Sequence, residues 1–207
     1  MKILTTLFLL LVFASTVAAS DTESLSRYQF DEVKMAMPIR LVFYAENESV
    51  AQNAADAAFK RIDQLEQVFS DYIPESEIRR LGETSGSGKP MPVSDDLYTV
   101  MKRSIEIGKC SDGAFDVTIA PLVRLWRRAH AQGRLPQQSR IDEAKSLVGL
   151  DLIRLDDENQ TVELLRKEMR IDVGGIAKGY IIDQALAELR KHGIDRALVD
   201  AGGDVGI

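Results

Sequence analysis

Arg170-Ile171-Asp172-Val173-Gly174-Gly175-Ile176-Ala177-Lys178-Gly179-Tyr180 is the stretch on which the fold turns. Residues 169–173 read as a strand, and two glycines then turn the chain. Apolar residues at Ile176, Tyr180, Ala185, Leu186 and Leu189 predict a helix over 176–192, stopped by Gly193. Glycines at such a junction let a ligand or another backbone come close. A helix start also presents unpaired N–H groups that favour anions. Lys178, in the first turn, has the wrong sign for the helix dipole. The residues alone leave two readings open. Either Lys178 meets a phosphate or carboxylate, or the unit is a tight turn with a solvated lysine. The spacing is neither a Walker loop nor a dinucleotide fingerprint.

Downstream, 196–200 (RALVD) reads as a strand running into Ala201-Gly202-Gly203-Asp204. No strand is expected after it, so its apolar faces and backbone groups are left without neighbours, as in an incomplete domain. Upstream, strands are predicted at 152–155 and 160–165. Ser139 to Leu147 reads as a short helix closed by Gly149. Pro121 opens a helix with Leu122, Leu125 and Trp126, after a short strand at 114–119. Ser94 caps a helix carrying Leu97, Val100, Met101 and Ile105. Residues 82–92 are a Gly/Ser/Pro loop. A long amphipathic helix spans 50–69, and one strand spans 33–45. There is no internal repeat, and the mixture is α+β or α/β.

The 207 residues suffice for one compact domain, alone or with a small lobe. The 45% hydrophobic and 28% charged residues are ordinary globular values and argue against wholesale disorder. The net charge of −6 and the lack of a long basic run argue against nucleic acid as a partner. An acidic surface is not drawn to anionic lipid either. The first residues differ. Lys2, an apolar run from Ile3 to Phe13, and Val17-Ala18-Ala19 before Ser20 have the layout of a secretory signal. The expected organisation is a signal peptide at 1–19, a flexible mature start at 20–32, and a domain from 33 to 207. Export to the periplasm or the outer face of the cytoplasmic membrane follows. An uncleaved signal anchor is the only membrane attachment expected. The lone Cys110 cannot make an internal disulfide and reads as a buried, inert thiol. His130 and His192 have no metal-ligand spacing.

Two more segments carry chemistry. Asp116 lies between Phe115 and Val117, so its carboxylate must be solvated, paired or bonded to donors. Tyr72, in Ser70-Asp71-Tyr72, either stacks on a flat ring or caps a core. Ser70-Asp71-Tyr72…Ser76-Glu77-Ile78…Leu81, Gly113-Ala114-Phe115-Asp116-Val117-Thr118 with Pro121…Trp126, Asp172…Lys178-Gly179-Tyr180, and Ala201-Gly202-Gly203-Asp204 occur in this order. Together they resemble the ApbE family of flavin transferases, over roughly 33–207.

The resemblance implies an α+β, T-fold-related fold and a reaction that uses FAD and Mg²⁺. FMN would pass from FAD to a threonine of an exported acceptor flavoprotein, with release of AMP. By position, Met35, Tyr72, Ala114, Phe115, Asp116, Asp172 and Lys178 would line the FAD site, and Gly175 would offer its carbonyl to the metal. No residue is assigned as catalytic base. Further metal ligands of the family fall beyond Ile207, so residues 1–207 alone are expected to be inactive. Met35-Ala36-Met37 departs from the family's Met-Gly-Thr. The alternative is an exported flavin-binding protein without transfer activity. A structural exported domain, its glycines serving turns alone, is a third class.

Overall fold

The computed structural model describes residues 24–207. The signal peptide expected at 1–19 and the first residues after it lie outside the described residues. A four-stranded antiparallel sheet has the order β1-β2-β6-β7. Its strands are β1 (Ser26–Lys34), β2 (Met37–Ala45), β6 (Ala197–Ala201) and β7 (Asp204–Gly206). Along β2, Ile39, Leu41, Phe43 and Ala45 are buried and alternate with more exposed residues, so one face of the sheet is covered. Two helices pack there: α1 (Glu48–Phe69) and α6 (Gly174–Lys191). The contact face of α1 includes Ala51, Ala54, Ala55 and Ala58, and α6 brings Ala177 and Ala185. Small side chains at these positions let two helices and a sheet share one core.

A second layer holds α2 (Glu77–Glu83), α3 (Asp95–Cys110), α4 (Ala120–Ala131) and α5 (Gln138–Lys145). A small antiparallel sheet joins them, in the order β3 (Met91–Pro92), β5 (Thr161–Leu164), β4 (Ile153–Asp156). Caps fix the helix starts. Asn47 accepts from the Val50 N–H, Ser76 from Arg79 and Ser94 from Leu97. The buried Glu77 carboxylate accepts from both the N–H and the hydroxyl of Ser94, at 2.6 Å each, so α2 and α3 are locked together.

The chain is α+β, with both sheets antiparallel. Several local expectations change. The single strand at 33–45 is a hairpin: Met35 (φ 52°) and Ala36 (φ 57°) form a two-residue turn between β1 and β2. The flexible start gives way to β1 from Ser26, because Tyr28 and Phe30 pack on the core and the Phe30 ring stacks on Phe43 at 5.6 Å. Residues 114–119 are not a strand; Asp116 caps a 3-10 turn at Val117–Ile119. Residues 169–173 join neither sheet; their backbone is tied by Asp172 N–H donating to the Val117 carbonyl at 2.8 Å. Part of the expected 82–92 loop is the end of α2, followed later by β3. β6 does not stand uncovered: β7 pairs with it across Gly202 (φ 61°) and Gly203 (φ 97°), a turn that glycine makes without steric cost. Cys110 is exposed at the end of α3, not buried.

Candidate functional site

A cavity of about 370 Å³ opens where four distant segments meet. The β1–β2 turn gives Met35 and Ala36, the chain after α1 gives Ser70 to Ile73, α4 gives Arg127, and the start of α6 gives Asp172 to Gly174, Ala177 and Lys178. Each is held by local chemistry. The Ser70 hydroxyl accepts from the N–H groups of Tyr72 and Ile73, and its carbonyl accepts from the Ser76 hydroxyl at 2.6 Å. That fixes the turn and pushes Tyr72 outward, with 80% of it exposed. The Arg127 guanidinium lies 5.7 Å from the Tyr72 ring centroid and 3.7 Å from the Asp71 carboxylate. A flat, cation-polarised ring at the mouth of a cavity is a stacking platform.

At the α6 start, Asp172 Oδ1 accepts from the Gly174 N–H at 2.9 Å. A Cβ on Gly175 would meet the Phe115 ring edge at 3.1 Å, so glycine is what lets the ring close on the helix. Lys178 Nζ pairs with Asp204 Oδ2 at 2.5 Å. The partner of Lys178 is thus a carboxylate of the protein itself, supplied by β7.

Four expected residues therefore share the cavity: Met35, Tyr72, Asp172 and Lys178. Gly175 sits beside it, backed by Phe115. Ala114, Phe115 and Asp116 do not line it. Asp116 is occupied instead: Oδ1 accepts from the Thr118 N–H at 2.8 Å and hydroxyl at 2.6 Å, and the same hydroxyl accepts from Gly149 N–H at 2.7 Å. The carboxylate is bonded to donors, one of the three outcomes the sequence left open. Arg127, Asp71 and Ala36 are pocket residues that motif reasoning missed. Arg127 lies off the face of α4 that Pro121, Arg124 and Arg128 share, so the helical period from Pro121 does not lead to it.

Beneath the pocket lies a polar network. The Tyr180 hydroxyl donates to Asp96 Oδ1 at 2.7 Å, and Arg61 grips both Asp96 oxygens and the Gln184 amide oxygen. Burial would raise the Asp96 pKa, but Arg61 and Tyr180 hold it below the usual carboxylate value. Burial, then Asp96, pushes the Tyr180 phenol up. The Phe69 ring meets Tyr180 edge-on at 5.8 Å and lines the pocket, so α1, α3 and α6 jointly set the pocket wall.

Among the described residues no three His, Cys, Asp or Glu side chains come together as a metal cage. No helix among them is long and apolar enough to cross a membrane.

Comparison with known proteins gives one answer. The ApbE family pattern matches residues 35–207. The FAD:protein FMN transferase of Klebsiella pneumoniae is 29% identical over 178 residues, covering 86% of this chain and 55% of that protein. The one from Chlamydia muridarum is 30% identical over 180 residues, covering 85% and 55%. The chain thus spans about half the length of the curated relatives it matches. The flavin transferase ApbE of Vibrio cholerae superposes with a TM-score of 0.78 at 22% identity, covering 88% of this chain and 59% of that one. The ApbE protein of Thermotoga maritima gives 0.77 at 26%, covering 87% and 58%.

Proposed function

Since this chain belongs to the ApbE family, we propose that it serves the transfer of FMN from FAD to an acceptor protein. The observation that carries this is the convergence of Met35, Tyr72, Asp172 and Lys178, from separate segments, on one cavity. A dinucleotide needs a ring platform and a charge-matched turn, and both are here. The Tyr72 ring, polarised by Arg127, takes a flat heterocycle. The positive dipole end of α6 lies at the same cavity as Lys178 and favours a pyrophosphate. The Lys178–Asp204 pair holds the ammonium in place, so its position does not depend on substrate. We further propose that the acceptor residue is a threonine and that AMP is released. The threonine oxygen would form a bond to the FMN phosphorus. The bond from that phosphorus to the AMP phosphate oxygen would break, its electron pair leaving with AMP, and the threonine hydroxyl proton would pass to water.

Mg²⁺ is proposed as a requirement, with Gly175 contributing a carbonyl oxygen. Mg²⁺ sites commonly combine few protein ligands with waters and substrate phosphates; the resemblance expects further protein ligands beyond Ile207, and the described residues offer no carboxylate cage of their own. Bound there, it would offset negative charge on the pyrophosphate.

The test has two independent parts. Titration calorimetry should show FAD binding more tightly than FMN, because the AMP half is also held. Incubation with FAD, Mg²⁺ and a candidate acceptor, followed by in-gel flavin fluorescence, should show a covalent band when the metal ligands expected beyond Ile207 are supplied, and none with residues 1–207 alone. With those ligands supplied, FAD binding without any band over a panel of acceptors would favour a flavin-binding role and sink transfer. Absence of both would sink the flavin assignment.

A further inference from the structure

Between Val117 and Ile141 the chain has five arginines and no aspartate or glutamate, in a protein of formal charge −6. They are spread out, so no basic run announces them, but the fold collects them. Arg124 and Arg128 of α4, Arg140 of α5 and Arg170 surround a second cavity of about 400 Å³. A hollow of about 220 Å³ continues it and shares Leu125, Arg128 and Arg140. Arg127 of the same helix lines the Tyr72 pocket, and Arg170 is next to Ile171 and Asp172 of that pocket. The two sites are neighbours through α4 and the 170–172 segment.

The charge in this groove is largely unmatched. Among the described residues, Arg124, Arg128 and Arg170 make neither an ion pair nor a side-chain hydrogen bond, while Arg140 holds Glu143 at 2.7 Å. Glu168 is the other carboxylate of the lining, and it is exposed. Burial, then the nearby Arg124 and Arg79 guanidiniums, lowers the Arg170 pKa from its usual value, as expected for a cation crowded by its own kind. Guanidiniums without partners bind carboxylates and phosphates with paired hydrogen bonds.

We propose that this groove takes an acidic, extended segment of the protein substrate. Its carboxylates would meet Arg124, Arg128 and Arg170, and its aliphatic parts would lie on Leu125 and Leu147. Three observations favour a polypeptide. The groove and the hollow that continues it, about 400 and 220 Å³, offer far more room than one phosphate fills. Its lining has no aromatic side chain to stack on a nucleobase. The chain around it is acidic, which opposes an anionic membrane. The identity of the partner rests on the transferase reading, since that reading is what calls for a protein substrate.

The experiment uses the full chain and a labelled short peptide alternating Asp and Leu, read by fluorescence anisotropy. An Asn-for-Asp version, inorganic phosphate and phosphatidylglycerol vesicles are the comparison arms. The acidic peptide should bind, more weakly as salt rises. The double variant Arg124→Gln/Arg128→Gln changes exposed side chains and should weaken it by about tenfold or more, while FAD affinity stays unchanged. Equal binding by the Asn peptide or by the double variant would overturn the proposal. So would displacement of the peptide by equimolar phosphate, which marks a small-anion site, or vesicle binding in place of peptide binding. Failure of the transferase reading is seen separately, as wild-type chain that binds the peptide but not FAD.

Discussion

Tyr72 and Asp116 are both motif residues, yet their surroundings assign them opposite kinds of work. Tyr72 is 80% exposed, so its removal leaves the core intact. Tyr72→Ala should weaken FAD binding by about tenfold, within the ~1–3 kcal/mol expected of a stacked ring, without moving the denaturation midpoint. Calorimetry and urea unfolding check the two halves. Asp116 holds the fully buried Thr118, which in turn holds Gly149. Asp116→Ala should cost about 1–3 kcal/mol of stability, because donors are left without an acceptor. Unchanged stability with lost FAD affinity would return Asp116 to the pocket. Ala36 offers a third case. At φ 57° a side chain is strained by roughly 1–2 kcal/mol, and a glycine is not. Ala36→Gly should therefore raise stability by roughly 0.5–1 kcal/mol after the entropy that glycine loses on folding.

At the scale of elements, the Arg61–Asp96–Tyr180 network joins α1, α3 and α6 and predicts a pH response. The folded-state pKa of Asp96 is depressed, so its contribution to stability is present above the ordinary carboxylate value. That contribution is lost as pH falls through the depressed value. Urea unfolding of wild type should weaken from about pH 4 downward, and Asp96→Asn should remove part of that slope; parallel slopes would exclude Asp96 as a source. Elements with strong periodicity and a cap, such as α1 and α3, were legible from sequence because one face is apolar and one residue ends it. The hairpin turn at Met35–Ala36 was not, since it lacks the Asn or Gly that usually marks such turns. Nor were 114–119 and 169–173. Both have strand-like composition, but a cap and a single backbone bond to each other replace sheet pairing. Four of the motif residues, Met35, Tyr72, Asp172 and Lys178, line one cavity. What sequence could not give was the grouping, because the Arg127 contacts and the Lys178–Asp204 pair depend on packing between distant elements.

On the scale of the whole molecule, β2 is a central strand whose two neighbours come from opposite ends of the chain. β1 adjoins it through a two-residue turn, whereas β6 pairs Ile39 with Ala201 and Phe43 with Ala197. Export is proposed from the Val17-Ala18-Ala19 site, and mass spectrometry of the mature protein should find it starting at or near Ser20; an intact Met1 on a cytoplasmic protein would exclude it. The topology has a kinetic corollary. At ribosomal speeds of ~5–20 residues per second, β6 follows β2 by on the order of ten to thirty seconds. Throughout that interval one flank of β2 has no ladder partner, and its buried-type side chains have only half their cover. The nascent chain is thus held open by its own contact order, a state that a translocation channel accepts and a folded domain does not. Pulsed hydrogen exchange during refolding should divide this one strand into two classes of amide. Those that bond to β1 should become protected early, and those that bond to β6 only with the slowest phase.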